Sequence, residues 1–273
     1  MTRTNNVEIG KIKFGDTKLV FIAGPCVIES RDHALFMAEK LKEISTRLDL
    51  PFVFKASFDK ANRSSISSFR GVGIEKGLDI LGQIKNVFEL PVISDIHDTA
   101  QADIAAKTLD IIQVPAFLSR QTDLLLAAAK TGKVVNVKKG QFLAPDDMLN
   151  VVKKLHEGGC KQVLLTERGA SFGYNRLVSD MRSIPIMQSF GTPVVFDATH
   201  SVQEPGGLST TSGGRREFVD VLAKAAVAAG ADAIFTEVHN DPDKALCDGP
   251  NSLDIPSFEK LAISLMRIRE AIL

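Results

Sequence analysis

Net charge is the first thing this sequence lacks, since 33 lysines and arginines are balanced by 33 aspartates and glutamates. A neutral chain excludes nucleic acid and anionic membranes as main partners, because both select proteins with a surplus of positive charge. Any site for an anion must therefore be built locally, from a few cationic side chains brought together by the fold.

Cysteines and long apolar runs are also scarce. The three cysteines, Cys26, Cys160 and Cys247, are odd in number and far apart, which excludes a secreted disulfide framework and favours a reducing compartment. No apolar run approaches the roughly 18 residues of a membrane span, and the N-terminal stretch MTRTNNVEIGKIKFG lacks the apolar core of a signal peptide. We expect a cytoplasmic protein with no nucleic-acid or membrane partner.

A dinucleotide-binding G-x-G-x-x-G turn is absent after the first β-rich run, which disfavours an open doubly wound sheet. Eight short apolar runs instead alternate with helix-compatible stretches, as expected for parallel strands covered on both faces. They are LVFIAG, FVFKAS, VISDI, DIIQV, VVNVK, QVLLTE, PVVFDAT and DAIFTE. The pattern predicts an α/β protein, a (β/α)8 TIM barrel forming a single catalytic domain over residues 1–273. VEIGKIKFGD is predicted to form a short hairpin that closes the barrel bottom.

Polar residues follow the runs at the strand ends, where barrel enzymes build their active sites. A single lysine or glutamate there is most simply a solvated loop charge. The cations taken together are more informative. Six of them are expected to converge at the end of the barrel where the strands terminate, the mouth of the barrel, in a chain without net charge, and so they indicate phosphate or carboxylate ligands. These cations are Lys55, Lys60, Arg63, Arg120, Lys138 and Arg168.

Four other residues come from strands that are neighbours once the barrel closes: Cys26, His200, Glu237 and Asp248. Thiolate, imidazole and carboxylate together suit a divalent transition metal such as Fe2+, Zn2+ or Mn2+. Taken singly, the same residues are a small buried thiol, a loop histidine and two solvated acids, so the residues alone leave metal binding open. Cys160 is predicted to be a packing residue, and Cys247 has no assignable partner.

Several long motifs, in the same order along the chain, resemble the 3-deoxy-D-manno-octulosonate 8-phosphate synthases. They are FVFKASFDKANRSS, QVPAFLSRQTDLLLAAAKTG, VNVKKGQF, TERGASFGYNRLV and FDATHSVQ. The resemblance implies a barrel, usually tetrameric, that condenses phosphoenolpyruvate with arabinose 5-phosphate and water. The products are the eight-carbon sugar acid phosphate, which feeds lipopolysaccharide synthesis, and inorganic phosphate.

The same resemblance implies roles for individual positions. Phosphoenolpyruvate is expected to contact Lys60, Lys138 and Arg168, with Lys55, Ser57 and Gln113 close by. Arabinose 5-phosphate is expected to contact Asn62, Arg63 and Ser64, with Arg120 reaching its phosphate from an adjacent subunit of a homotetramer. The expected catalytic residues are Lys60, Lys138, His200 and Asp95.

Two branches of that family differ at the position of Cys26, where metal-dependent members carry Cys and metal-independent members carry Asn. Cys26 therefore implies a metal centre of Cys26, His200, Glu237 and Asp248. The principal alternative is the sibling synthase that uses erythrose 4-phosphate, although KANRSS differs from the KPRT-type loop typical of the sibling. A second alternative is a catalytically silent barrel that only binds a sugar phosphate or a protein partner.

Overall fold

The structure is a computed structural model that describes residues 5–208 and 211–273. In chain order the strands are β1 (Val7–Ile9), β2 (Ile12–Phe14), β3 (Val20–Gly24), β4 (Phe52–Lys55), β5 (Val92–Asp95), β6 (Ile111–Val114), β7 (Val134–Lys138), β8 (Val163–Glu167), β9 (Ala170–Ser171), β10 (Leu177–Val178), β11 (Val194–Asp197), β12 (Gln203–Leu208), β13 (Thr211–Gly214) and β14 (Ala233–Glu237).

Eight helices alternate with these strands: α1 (Arg31–Arg47), α2 (Ile74–Phe88), α3 (Thr99–Ala106), α4 (Thr122–Lys130), α5 (Met148–Glu157), α6 (Ser183–Gln188), α7 (Val219–Ala228) and α8 (Ile255–Ile272). Side chains cap several of the N-termini, as where Asp254 accepts a hydrogen bond from the Ser257 amide at 2.7 Å. Helices α4 and α5 are followed by Gly132 and Gly159, both at positive φ, the conformation with which glycine ends a helix.

Eight strands close into a parallel barrel in the order β11-β14-β3-β4-β5-β6-β7-β8, with β8 pairing back to β11. Along the chain, a helix follows each of these strands, and the helices surround the barrel. The predicted (β/α)8 TIM barrel is therefore confirmed. The remaining strands form three short antiparallel hairpins, β1-β2, β9-β10 and β12-β13. Among the described residues, no helix combines the length and the apolar character needed to cross a membrane.

Alternation along each strand divides the apolar residues between two cores. Val20 and Ile22 of β3 point into the barrel with the equivalent residues of the other strands, whereas Phe21 and Ala23 pack against the helices. Both faces are covered, which is why the runs are continuously apolar. The β1-β2 hairpin adds Val7 to the interior cluster, and this packing agrees with its predicted place at the barrel bottom.

Gly24, the last residue of β3, has no room for a side chain, because a Cβ atom there would lie 2.0 Å from the backbone oxygen of Lys55. We expect Gly24→Ala to lower the free energy of unfolding by about 1–3 kcal/mol, since a backbone atom cannot rotate away. Urea unfolding followed by circular dichroism measures the change. Gly82→Ala in α2 is the matched control: its nearest neighbour, Thr108 Cγ2, is 3.6 Å away. Equal destabilisation of both variants would contradict this account.

Candidate functional site

The alternation that fills the barrel interior also selects the side chains of its mouth. Side chains alternate along a strand, so every second one points into the barrel. On several strands, the last inward side chain, two residues beyond an inward apolar one, is polar. Val53 is followed by Lys55 on β4, Ile93 by Asp95 on β5, and Phe235 by Glu237 on β14. The inward positions at the other strand ends are Gln113, Asn136, Lys138, Thr166, Arg168 and Asp197.

A cleft of about 290 Å3 opens above this polar layer. Most of the residues predicted to bind substrate line it, together with Asp95 and two of the predicted metal ligands. The predicted residues found in its lining are Lys60, Asn62, Arg63, Ser64, Asp95, Lys138, Arg168, His200 and Asp248. Four of the six predicted cations, Lys60, Arg63, Lys138 and Arg168, therefore face one cleft, as a site for phosphorylated substrates requires, whereas Lys55 and Arg120 do not line it.

Lys55 is buried behind the cleft rather than lining it. Its Nζ atom donates to the backbone oxygen of Cys26 at 2.8 Å and lies 3.1 Å from Glu237 Oε1. Burial alone would lower the pKa of Lys55, but the Glu237 charge outweighs it and raises that pKa. Lys60 adds a second cation 3.9 Å from the same carboxylate oxygen. The floor of the site is thus a buried ion pair that holds Glu237 ionised.

Asp197, at the end of β11, joins two of the predicted catalytic residues. Its Oδ2 atom lies 2.6 Å from Lys138 Nζ and 2.8 Å from His200 Nδ1. Burial alone would raise the pKa of Asp197, but the charges of His200 and Lys138 hold it well below its usual range. Burial in turn lowers the pKa of Lys138, despite the nearby Asp197 charge. Asp197 therefore orients both side chains, although sequence reasoning assigned it no role.

The other ring nitrogen of His200 faces two carboxylates, since Nε2 lies 3.4 Å from Glu237 Oε1 and 3.6 Å from Asp248 Oδ2. Cys26 Sγ lies 3.6 Å from the same Asp248 oxygen. The structure thus brings together three of the predicted metal ligands, His200, Glu237 and Asp248, and places Cys26, which follows β3, beside Asp248 alone. A carboxylate on the far nitrogen, as Asp197 provides here, is the usual way in which a metal-binding histidine is oriented.

These donors fit a divalent transition ion. Ligands of one zinc ion bind at about 2.0–2.3 Å and so lie within about 4.6 Å of one another. His200, Glu237 and Asp248 form one close group of donors, and Cys26 lies this close to Asp248 but belongs to no close group with His200 or Glu237. No described residue supplies a hydrogen-bond partner to Glu237 Oε2, although the Glu237 side chain is fully buried. A buried carboxylate oxygen without a partner is costly, and a bound cation would remove that cost.

Asp95, predicted to be catalytic, is held by neighbours on both sides. Ser57 Oγ donates to Asp95 Oδ2 at 2.7 Å, and the Gln113 amide donates to Oδ1. Burial alone would raise the pKa of Asp95, but the nearby lysines, Lys55 first, hold it far below its usual range. Ser57 and Gln113, like Lys55, are buried behind the cleft lining, where they fix a carboxylate that faces it.

A further residue of this network, Asn136, was missed by sequence reasoning. Thr166 Oγ1 donates to Asn136 Oδ1 at 2.7 Å, and Asn136 Nδ2 donates to Gln113 Oε1 at 2.9 Å. Each assignment of donor and acceptor in this series fixes the next. The Gln113 amide is therefore oriented with its oxygen toward Asn136 and its nitrogen toward Asp95. The signal in the sequence was an asparagine in the middle of the apolar run VVNVK.

Arg120 lies outside the cleft. It lines a separate groove with Asp147 and Lys154 beside helix α5. Large apolar side chains are exposed on the loops after β6, β7 and β8. They are Phe117, Phe142, Phe172 and Tyr174. Exposed aromatic side chains of this size are typical of surfaces that bind another protein.

Comparison with known proteins agrees with the geometry. The chain matches the DAHP synthetase I family over residues 2–273. A 2-dehydro-3-deoxyphosphooctonate aldolase of Rickettsia prowazekii is 57% identical over 267 residues, which cover 98% of this chain and 96% of the relative. Proteins of that name from Geobacter metallireducens and Desulfosudis oleivorans are 59% and 60% identical, covering 97% and 98% of this chain and 98% and 95% of the relatives. The chain therefore belongs to the DAHP synthetase I family.

Proposed function

We propose that this protein condenses phosphoenolpyruvate with D-arabinose 5-phosphate and water, giving 3-deoxy-D-manno-octulosonate 8-phosphate and inorganic phosphate. The observation that carries the proposal is the cleft itself, which combines four cationic side chains with a cluster of metal-ligand type at the C-terminal end of a barrel. Relatives at 57–60% identity bear the name 2-dehydro-3-deoxyphosphooctonate aldolase, a synonym for the enzyme of this reaction.

The phosphoenolpyruvate end of the cleft is assigned to Lys60, Lys138 and Arg168. Arg168 is buried and donates to Gln203 Oε1 at 3.0 Å, so its guanidinium is held in one orientation. Its Nη1 atom is buried without a hydrogen-bond partner among the described residues and is available to an anion. Fixed cations of this kind neutralise phosphate and carboxylate without reorganising during the reaction.

The sugar phosphate end is assigned to the loop after β4, where Asn62, Arg63 and Ser64 line the cleft next to Lys60. Carbon–carbon bond formation joins C3 of phosphoenolpyruvate to the sugar aldehyde, while water adds at C2 and phosphate leaves by C–O cleavage. Holding both anions in contact is most of the catalytic task, since it converts a bimolecular step into an intramolecular one. The proton transfers are assigned to Lys138 and His200, and Asp95 is assigned to the same cleft as a carboxylate that the neighbouring lysines keep ionised.

A divalent ion is assigned to Cys26, His200, Glu237 and Asp248, the residues of the metal-dependent branch. When bound, the ion supplies Lewis acidity to an oxygen of the substrate or of water. The chain's own residues set its environment, because Asp197 orients His200 and Lys55 holds Glu237 in place. Fe2+, Zn2+ and Mn2+ are all compatible with this mixed donor set.

The sibling reaction with erythrose 4-phosphate is the second candidate, because the family as a whole is named after it. We expect purified, metal-supplemented enzyme to consume phosphoenolpyruvate faster with arabinose 5-phosphate than with erythrose 4-phosphate. The octulosonate relatives and the KANRSS loop favour this order. Phosphate release with each sugar, measured as kcat/KM, decides between them. A higher kcat/KM with erythrose 4-phosphate would overturn the assignment, and no turnover with either sugar would favour the silent barrel.

A homotetramer with sites shared between subunits is also proposed, from the exposed aromatics around the mouth and the position of Arg120 outside its own cleft. We expect Arg120→Ala to raise the KM for arabinose 5-phosphate by about 10–100-fold, since a charge-assisted contact to phosphate is worth about 1.5–3 kcal/mol. The KM for phosphoenolpyruvate should change little.

Mixed oligomers test whether Arg120 acts on a neighbouring site. Subunits carrying Arg120→Ala and subunits carrying Lys138→Met are unfolded together and reassembled. The Arg120→Ala subunits keep an intact cleft and can borrow Arg120 from their partners, so sites with the wild-type KM should reappear. If Arg120 serves its own site, the mixtures will show only the raised KM. Reassembled Arg120→Ala alone is the control.

Two broader assignments complete the proposal. The chain is taken as one catalytic domain, residues 1–273, because the interior cluster and the surrounding helical layer extend from the β1-β2 hairpin to α8. A cytoplasmic location is favoured by the free thiols of Cys26, Cys160 and Cys247.

A further inference from the structure

Two polar side chains lie inside the barrel at positions that the cleft does not reach. Asn136 of β7 and Thr166 of β8 are completely buried, and neither lines the cleft. They stand two residues beyond the interior apolar residues Val134 and Leu164. A polar group is costly at such a position unless it is hydrogen-bonded, and an apolar side chain would fill the same space without that cost. Asn136 and Thr166 therefore indicate a role other than packing.

Hydrogen bonds connect Thr166 to Asp95 across four neighbouring strands. Thr166 Oγ1 donates to Asn136 Oδ1 at 2.7 Å, and Asn136 Nδ2 donates to Gln113 Oε1 at 2.9 Å. The amide nitrogen of Gln113 then donates to Asp95 Oδ1. The strand register agrees with this order, because Gln113 pairs with Asp95 on one side and with Asn136 on the other. Thr166, Asn136 and Gln113 thus form a buried network that ends on Asp95.

Every hydrogen bond of the buried network points toward Asp95. Each amide has one oxygen and one nitrogen, so an amide that accepts from one neighbour presents its nitrogen to the other. Ser57 Oγ donates to the second carboxylate oxygen, Asp95 Oδ2, at 2.7 Å. Both oxygens of Asp95 therefore accept hydrogen bonds from buried groups. These bonds fix the plane of the carboxylate at the point where it faces the cleft.

The Thr166 hydroxyl determines which way the two amides are turned. It is the only hydrogen-bond donor to Asn136 Oδ1 among the described residues. Without the hydroxyl, this buried oxygen would lose its partner. If both amides turned round instead, Gln113 Oε1 would face the ionised Asp95 and repel it. Either outcome weakens the support of the Asp95 carboxylate.

We infer that Thr166 and Asn136 are positioning residues of the condensation, which act on Asp95 through the amide of Gln113. The inference rests on the proposed function, in which Asp95 is one of the catalytic residues. It adds two residues that have no part in the assignment of substrates or metal. Neither can contact a substrate held in the cleft, so their effect on the reaction is indirect.

Thr166→Val tests the inference, because valine has nearly the same shape as threonine and lacks the hydroxyl. We expect kcat to fall about 3–10-fold, the loss that one hydrogen bond accounts for, with little change in the KM for either substrate. Thr166→Ser keeps a hydroxyl and should restore most of kcat.

Thr236→Val is the matched control. Thr236 of β14 is also buried, but its Oγ1 atom has no hydrogen-bond partner among the described residues, so wild-type kinetics are expected. An unchanged kcat in Thr166→Val, or an equal loss in Thr236→Val, would overturn the inference.

A double-mutant cycle separates action through Gln113 from a general loss of packing. Gln113→Met interrupts the buried network between Asn136 and Asp95. Adding Thr166→Val to Gln113→Met should therefore lower kcat no further, because residues that act through one path are not additive. A further loss as large as that of Thr166→Val alone would show that Thr166 acts by another route, and the inference would fail.

Crystal structures supply a readout that does not depend on activity. Asn136→Asp keeps the shape of the side chain but cannot donate, so Gln113 should turn its nitrogen toward the new carboxylate and its oxygen toward Asp95. The Asp95 carboxylate is then expected to rotate away from Gln113, and an unmoved carboxylate would overturn the inference. Phosphate release by the wild-type enzyme is measured in parallel. An inactive wild type with a rotated Asp95 in Asn136→Asp would remove the proposed function and leave the control of Asp95 by the buried network in place.

Discussion

Replacing Lys138 with methionine is expected to lower kcat for the condensation by about 10²–10³-fold, the usual cost of losing one preorganised group that stabilises developing charge. Lys138 is the cation at the centre of the mouth, with its Nζ atom 2.6 Å from Asp197 and 3.9 Å from the Phe235 ring centroid. Methionine keeps most of the side-chain volume and removes the ammonium group, with its charge and its hydrogen bond to Asp197. Steady-state kinetics with both substrates saturating measures the change.

The fold should survive this substitution, because Asp197 keeps its contact with His200. Lys130→Met, at the exposed end of α4, is the control for a lost lysine and should leave both kcat and thermal stability at wild-type values. A Lys138→Met enzyme within about tenfold of wild-type kcat would remove Lys138 from the catalytic residues. A large drop in melting temperature would instead show that Lys138 acts through the fold.

Period-two alternation is the reason that so much of the site could be read from the sequence. Once VVNVK and DAIFTE are recognised as strands of a barrel, Lys138 and Glu237 must point inward, because each stands two residues beyond another inward residue. The barrel then brings all the strand ends to one mouth. Fold class, hairpin and cationic cleft follow from composition and period alone.

Pairings between distant residues could not be obtained this way. Lys55 and Glu237 are 182 positions apart, and nothing local in the sequence states that they form a buried ion pair. Asp197 lies near the end of the run PVVFDAT, but its joint contact with Lys138 and His200 depends on the tilt and closure of the barrel. Cys247 was visible beside Asp248, yet only the left-handed turn at Asp248 brings its sulfur to Cys26.

Removal of the proposed divalent ion is the second large effect expected. Treatment with a chelator, followed by verification of metal content, should reduce condensation by about 100-fold or more, because Lewis acidity at a reacting oxygen is worth several kcal/mol. Addition of Zn2+, Fe2+ or Mn2+ should restore activity, and circular dichroism should show the same fold before and after. Full activity of verified metal-free enzyme would refute the dependence.

Cys26→Asn then tests whether binding of the proposed ion depends on this thiol. Asparagine removes a sulfur that lies 3.6 Å from Asp248 Oδ2 and replaces it with an amide, a poor ligand for thiophilic ions. We expect metal affinity to fall by about 10–100-fold or more, whereas Cys160→Ser, at the other buried thiol, should leave it unchanged. Wild-type metal affinity in Cys26→Asn would make the thiol dispensable. Weakened metal binding with activity retained would show that this chain can catalyse the reaction without the ion, as the metal-independent branch does. The polar residues of the barrel mouth would then be sufficient for catalysis.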